Sequence, residues 1–316
     1  MKPVTLIIFA FALAIFAPLS AKAADRVTFG TDWRAQAEHG GFYQAIATGI
    51  YQRYGLDVEL RQGGPMVNHA QLLAAGRLDY SMAPNSFIPL NFVAQNIPMV
   101  AVAAIFQKDP AVLIAHPNAG HDSLADLSRA KIMISPDTRV GFWRFLKSKF
   151  GYSDEQIAPY TFNLAPFLAD TSAVQQGYLT SEPYQIERAG IKPNVFLLAD
   201  AGYASYAAII MTSRDRVEKS PDQVKRFVAA SIAGWVSYLN DDPSPADNLI
   251  KADNPDMSDA LLAYAREQMR RNGVVDGGDA AQFGVGVMTS GRWRDFFEVM
   301  AQDGLYDRGL DFTRAY

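Results

Sequence analysis

Cysteine is absent from all 316 residues. That one absence removes disulfides, thiolate nucleophiles, iron–sulfur ligation and Cys-type zinc sites. Histidine is scarce, with four at positions 39, 69, 116 and 121 and neither H-x-x-x-H nor H-E-x-x-H spacing. A histidine metal centre therefore has no support in the sequence. After the first 17 residues no apolar run approaches the roughly 20 residues of a membrane-crossing helix. Ala101 to Ile105 and Ala207 to Met211 are short and read as buried strands. A basic excess is missing too: 29 Lys and Arg face 33 Asp and Glu, a formal net charge of -4. This balance argues against nucleic acid or an anionic membrane as partner, though a local site could still take an anion. There is no G-x-S-x-G elbow, no P-loop and no G-x-G-x-x-G after a strand. No catalytic residue, cofactor or metal is expected.

What is present begins at the amino end. Lys2, the apolar run Val4 to Ala17 and the small residues of Ala21-Lys22-Ala23 form the three-part pattern of a secretory signal peptide, with cleavage before Ala24. The apolar run is short for a membrane anchor. We expect residues 1–23 to be removed and the mature chain to be periplasmic. Losing Lys2 and Lys22 leaves 27 basic residues against 33 acidic, a net charge of -6.

The mature sequence alternates strand and helix patterns over short loops. Val27 to Thr31, Leu56 to Leu60, Leu78 to Ala83 and Met99 to Ile105 read as strands. Helices are expected over Gly41 to Tyr54, Val67 to Ala75 and Asn85 to Gln95. A second run has strands at Val112 to Ala115, Lys131 to Ser135, Tyr160 to Asn163, Val174 to Leu179 and Asn194 to Leu198. Its helices are Ser123 to Arg129, Val140 to Phe150 and Pro183 to Ala189. After a strand at Ala207 to Met211, the chain is nearly all helical: Pro221 to Leu239, Pro245 to Ala252, Ser258 to Arg271 and Arg292 to Asp303. This predicts an α/β protein with mixed, mainly parallel sheets. The two runs suggest two lobes, 24–106 with 207–316 and 107–206. Two crossing segments would make a hinge with a ligand cleft beside it.

Ligands of open α/β sheets bind beyond the carboxyl ends of the strands, which selects candidates from position alone. Trp33, Glu38 and His39 follow the first strand. Asn85 and Ser86 follow the third, and Ser135 and Thr138 follow a strand of the second run. Glu182 and Tyr184 lie past a later strand, and Tyr203 and Tyr206 at the return crossing. Trp33 can wall a flat ring or close a core. Tyr184 and Tyr206 can stack on a ligand or pack between lobes. Glu182 can accept from a ring amine or favour a helix N-terminus. His39 can bond a ligand or satisfy the helix entry. Asn85 and Ser86 can cap a helix or touch ligand.

Thr31-Asp32-Trp33, then Glu38-His39-Gly40-Gly41-Phe42-Tyr43-Gln44-Ala45, Tyr54-Gly55-Leu56-Asp57-Val58, Ala74-Ala75-Gly76-Arg77-Leu78-Asp79-Tyr80 and Ser181-Glu182-Pro183-Tyr184 carry a further signal. Together they resemble substrate-binding proteins of ABC importers, in the group that includes binders of thiamine pyrimidine precursors, taurine, alkanesulfonates and nitrate. The Glu-His-Gly-Gly-Phe-Tyr stretch is most similar to the pyrimidine-precursor branch. The resemblance implies a two-lobed, type II venus-flytrap fold, a small-molecule ligand, an inner-membrane ABC permease as partner and a monomeric chain. The expected ligand is a small aromatic heterocycle such as a thiamine pyrimidine precursor. Taurine-, alkanesulfonate-, nitrate- and riboflavin-type solutes stay open, as does a sensing role. The same branch contains an iron-dependent pyrimidine synthase, but the chain lacks that enzyme's Cys-rich motif and its Gly-rich phosphate loop near Ser135 to Gly141.

Overall fold

The computed structural model describes residues 23–64, 67–139 and 141–316, without the side chain of Asp137. The expected signal peptide therefore lies, except for its last residue, outside the described residues. No helix among the described residues is long and apolar enough to cross a membrane.

Ten strands form two five-stranded sheets. The strands are β1 (Asp25–Gly30), β2 (Leu56–Arg61), β3 (Tyr80–Ala83), β4 (Met99–Phe106), β5 (Ala111–Ala115), β6 (Ile132–Ile134), β7 (Ile157–Pro159), β8 (Val174–Tyr178), β9 (Asn194–Leu197) and β10 (Ala207–Ser213). The first sheet runs β2-β1-β3-β10-β4 and the second β7-β6-β8-β5-β9. β1 is parallel to β2 and β3, while β10 is antiparallel to β3 and β4. Four strands thus point one way and β10 the other. The second sheet repeats this, with β5 alone opposed to its neighbours. Mixed, mainly parallel sheets are what the alternating pattern predicts.

The chain leaves the first sheet after Phe106 and enters the second at Ala111. It returns after Leu197 and inserts β10 between β3 and β4. On the surface, Lys108 of the outgoing segment and Asp200 of the returning one form an ion pair at 2.9 Å. The first sheet packs against the helices Gly40–Ala47 and Pro221–Asn240 through an aromatic core. Phe29 meets Phe42 edge-on at 4.6 Å, and Phe227 stacks on Tyr80 at 4.0 Å. Such ring pairs add to the burial of their own area.

Two local expectations fail for readable reasons. The helix expected over Gly41 to Tyr54 is two, Gly40–Ala47 and Ile50–Arg53. Gly49 between them sits at φ +71°, a left-handed conformation that ends the first helix. The strand expected over Tyr160 to Asn163 is instead β7, three residues ending at Pro159. Proline has no N–H for the ladder, and Phe162 follows with φ +58°. The late helices fall close to expectation: Pro221–Asn240, Ser244–Asp253, Asp259–Arg271 and Ser290–Gln302.

Candidate functional site

The carboxyl ends of β1, β3, β6, β7 and β8 open onto one cavity of about 690 Å³, lined from both sheets. Asp32, Trp33, Glu38 and His39 come from the segment after β1, and Asn85 from that after β3. Ser135 and Thr138 follow β6, Tyr160 and Phe162 follow β7, and Glu182 follows β8. Asp109 and Tyr203 reach in from the two crossing segments.

Aromatic rings form one wall. Trp33 is half-buried, and its ring centroid lies 5.1 Å from that of Phe162, with the planes at 43°. Phe162 is 5.1 Å from Tyr160 in turn. The Phe162 ring is 49% exposed, so it is not a core side chain. A non-glycine residue at positive φ is uncommon and, for a bulky side chain, strained. Here it holds an apolar ring at the cavity against an indole from the other sheet.

The charged part of the lining is acidic. Asp32, Glu38, Asp109 and Glu182 line the cavity, and among the described lining residues there is no lysine or arginine. Glu38 is 3% exposed and accepts a short hydrogen bond from the Thr180 hydroxyl of the second half. Glu182 accepts from the Tyr178 N–H at 2.8 Å and from the Tyr160 hydroxyl at 3.1 Å. Burial pushes both carboxyls above the usual range, against the pull of these hydrogen bonds. Asp32 Oδ1 lies 3.0 Å from His39 Nε2, while the buried His39 Nδ1 has no hydrogen-bond partner among the described residues. Ser135 donates its N–H to Gln176 Oε1 at 2.6 Å and shares a hydroxyl contact with Thr138 at 2.9 Å.

Asp109 carries a pH prediction. It is 4% exposed and accepts the Ala111 N–H at 3.0 Å. Burial raises its carboxyl from 3.8 to about 7, opposed by that hydrogen bond and by Arg292. The folded chain therefore binds a proton here more tightly than the unfolded chain does. Stability from this group is whole below pH 3.8 and is lost as pH rises toward about 7. Within that window the slope is about 1.4 kcal/mol per pH unit. Denaturant unfolding of Asp109→Asn and the parent chain across the window should give stabilities that diverge with pH, the variant gaining. A difference independent of pH would put the proton elsewhere.

Of the positions selected from sequence, Trp33, Glu38, His39, Asn85, Ser135, Thr138, Glu182 and Tyr203 line the cavity. Three face elsewhere. Ser86 is buried, accepting the Tyr206 N–H at 3.0 Å and donating its own N–H to Ser205, so it ties its loop to the return crossing. Tyr206 is 1% exposed; its hydroxyl donates to Asp279 at 2.7 Å and accepts from the Thr289 N–H at 2.9 Å. Arg292 lies over its ring at 4.1 Å. Tyr184 packs on Tyr264 of the helix Asp259–Arg271, with ring centroids 5.1 Å apart. Asp109, Tyr160, Phe162 and Gln176 line the cavity without having been selected. The strand-end rule reaches Tyr160 and Phe162 once β7 is taken to stop at Pro159.

Similarity to known proteins follows the geometry. The chain is 23% identical over 308 residues to the riboflavin-binding protein RibY of Chloroflexus aurantiacus, covering 95% of this chain and 87% of that one. It is 22% identical over 255 residues to the formylaminopyrimidine-binding protein of Halalkalibacterium halodurans, covering 78% and 76%. Its fold is similar to that of the periplasmic aliphatic sulphonate binding protein SsuA of Escherichia coli, with a TM-score of 0.70 and 12% identity over 92% and 91% of the two chains. A family model described as NMT1/THI5 like matches residues 36–246, which span β2 to β10 and most of the cavity wall, and the chain belongs to that family.

Proposed function

We propose that the mature chain is an extracytoplasmic solute receptor that captures a neutral or cationic aromatic heterocycle and delivers it to an ABC permease. A thiamine pyrimidine precursor is the ligand type we favour. The observation that carries this is the cavity's composition: ring faces of Trp33, Phe162 and Tyr160 beside four carboxylates, with no lysine or arginine among the described lining residues. A sulfonate or nitrate would be stripped of water beside acidic side chains and would meet no lysine or arginine among the described lining residues. A ring with amino or hydroxyl donors stacks on the aromatic wall and donates hydrogen bonds to the oxygens of Glu38, Glu182 or Asp109.

We divide the molecule at the crossings into lobes of 24–106 with 207–316 and 107–206. In this reading the segments around Lys108 and Asp200 flex, and closure excludes water from the ligand's hydrogen bonds. In this reading closure brings Glu38 against Thr180, Trp33 against Phe162 and Tyr184 against Tyr264, among other contacts between the lobes.

A flavin is the second reading. A cavity of about 690 Å³ is within the range of drug-sized ligands and holds more than one pyrimidine ring. The similarity to a protein named riboflavin-binding, across 95% of this chain, favours it as well.

Calorimetry on the mature chain tests the class. An aminopyrimidine or riboflavin is expected to bind with a Kd on the order of 1 μM, about -8 kcal/mol, and taurine and nitrate not at all. Tight taurine or nitrate binding without heterocycle binding would replace the proposal with the sulfonate and nitrate branch. Iron-dependent turnover of a pyrimidine would replace it with the synthase.

A further inference from the structure

Behind the cavity wall lies a second pocket of opposite charge. It holds about 260 Å³ and is lined by Arg139, Trp143, Arg144, Lys147, Asp154 and Ile157. Three cations and one carboxylate face it, in a chain whose formal net charge is -4. The carboxylate is already committed. Asp154 Oδ1 accepts from the Trp143 indole N–H and from Lys147 Nζ, both at 3.0 Å, and its Oδ2 accepts from Lys147 at 3.0 Å. Those bonds hold the Asp154 carboxyl below its usual range, so it stays ionised and paired. Arg139 and Arg144 have no carboxylate within ion-pair distance among the described residues. The Arg144 Nε–H is buried and has no acceptor among the described residues.

A guanidinium N–H shut away from water and left without an acceptor is an incomplete arrangement in a folded protein. Guanidinium also presents a planar fork of donors that matches two oxygens of one oxyanion. We infer that this pocket is a binding site for a phosphate-type oxyanion, with Arg144 and Arg139 as its anchors and Lys147, fixed by Asp154, as a flanking positive charge. The site is separate from the solute cavity but shares its wall. Thr138 and Phe142 face the cavity, while their neighbours Arg139 and Trp143 face the pocket. An anion seated there braces the same short segment from behind.

The test is calorimetry of the mature chain with inorganic phosphate and, in parallel, glycerol phosphate, at constant ionic strength set by chloride. Constant ionic strength matters because screening alone weakens exposed charge pairs. Phosphate binding that chloride does not reproduce, weakened at least tenfold by Arg144→Gln and by Arg139→Gln, is the expected result. Stronger binding of glycerol phosphate than of phosphate would identify a phosphate monoester as the occupant; the reverse order would identify the free anion. Should Arg144→Gln fail to fold, Arg139→Gln decides alone, because that side chain is exposed. No heat beyond the chloride control, or unchanged affinity in Arg139→Gln, overturns the site. Heterocycle binding measured on the same variants should be retained, which separates failure of this site from failure of the solute cavity.

Discussion

Replacing Trp33 with alanine is expected to weaken heterocycle binding roughly 70-fold, about 2.5 kcal/mol. The indole face would cover roughly 60 Å² of ligand, worth about 1.5 kcal/mol at 25 cal/mol per Å². Stacking geometry adds about 1 kcal/mol. Because Trp33 is half-buried at the cavity, the fold itself should survive with little change in thermal midpoint. The other three tryptophans, Trp143, Trp235 and Trp293, are at most 1% exposed. Ligand-induced quenching of tryptophan fluorescence should therefore come from Trp33 and vanish in Trp33→Phe, which keeps a ring face and most of the affinity measured by calorimetry. Undiminished affinity in Trp33→Ala would remove the aromatic wall from the binding account.

The Trp33 position was legible because the cue is local: a strand ends, and residues just past it line the cavity. The same rule reached Glu38, Ser135 and Glu182. It misses Phe162, because the preceding strand stops at Pro159, earlier than the apolar pattern suggests, and the backbone then turns to positive φ. Asp109 sits in a crossing segment, where no periodicity points anywhere. Tyr206 was selected as a candidate but spends its hydroxyl on Asp279 and Thr289, 73 and 83 residues away in sequence. Such partners are invisible to any local pattern. Strand existence was readable from apolar runs such as Met99–Phe106, and so were the long late helices. The insertion of β10 between β3 and β4 was not, since it is a pairing between distant segments.

The Gly40-Gly41 pair shows that a motif can be recognised without its sequence saying what it is for. It belongs to the stretch that carried the resemblance to solute binders, yet its glycines serve packing. A Cβ on Gly41 would lie 2.2 Å from Trp235 Cγ, and one on Gly40 would lie 2.0 Å from Tyr238 Cε1. From the other side, a Cβ on Gly234 would lie 2.2 Å from the Gly41 carbonyl oxygen. The helices Gly40–Ala47 and Pro221–Asn240 thus touch almost backbone to backbone. Trp235 cannot give way, being fully buried and boxed by Phe106 at 5.2 Å, Phe42 at 5.8 Å and Tyr238 at 6.1 Å. Overpacking a filled core costs about 1–3 kcal/mol and sometimes more. Gly41→Val should sit at or above the top of that range, on the order of 3–4 kcal/mol. Gly41→Ala should cost less, since alanine recovers about 1 kcal/mol of helix propensity. Gly291→Ala provides the contrast: it also lies in a helix, but its added Cβ meets nothing within 4 Å. It should leave stability unchanged or raise it by up to about 1 kcal/mol. Urea unfolding of the three variants measures all of this. If Gly41→Val proved as stable as the parent, the two helices would not be held at the separation described, and the loop from Asp32 to His39 that enters the first of them would lose its fixed footing beside the cavity.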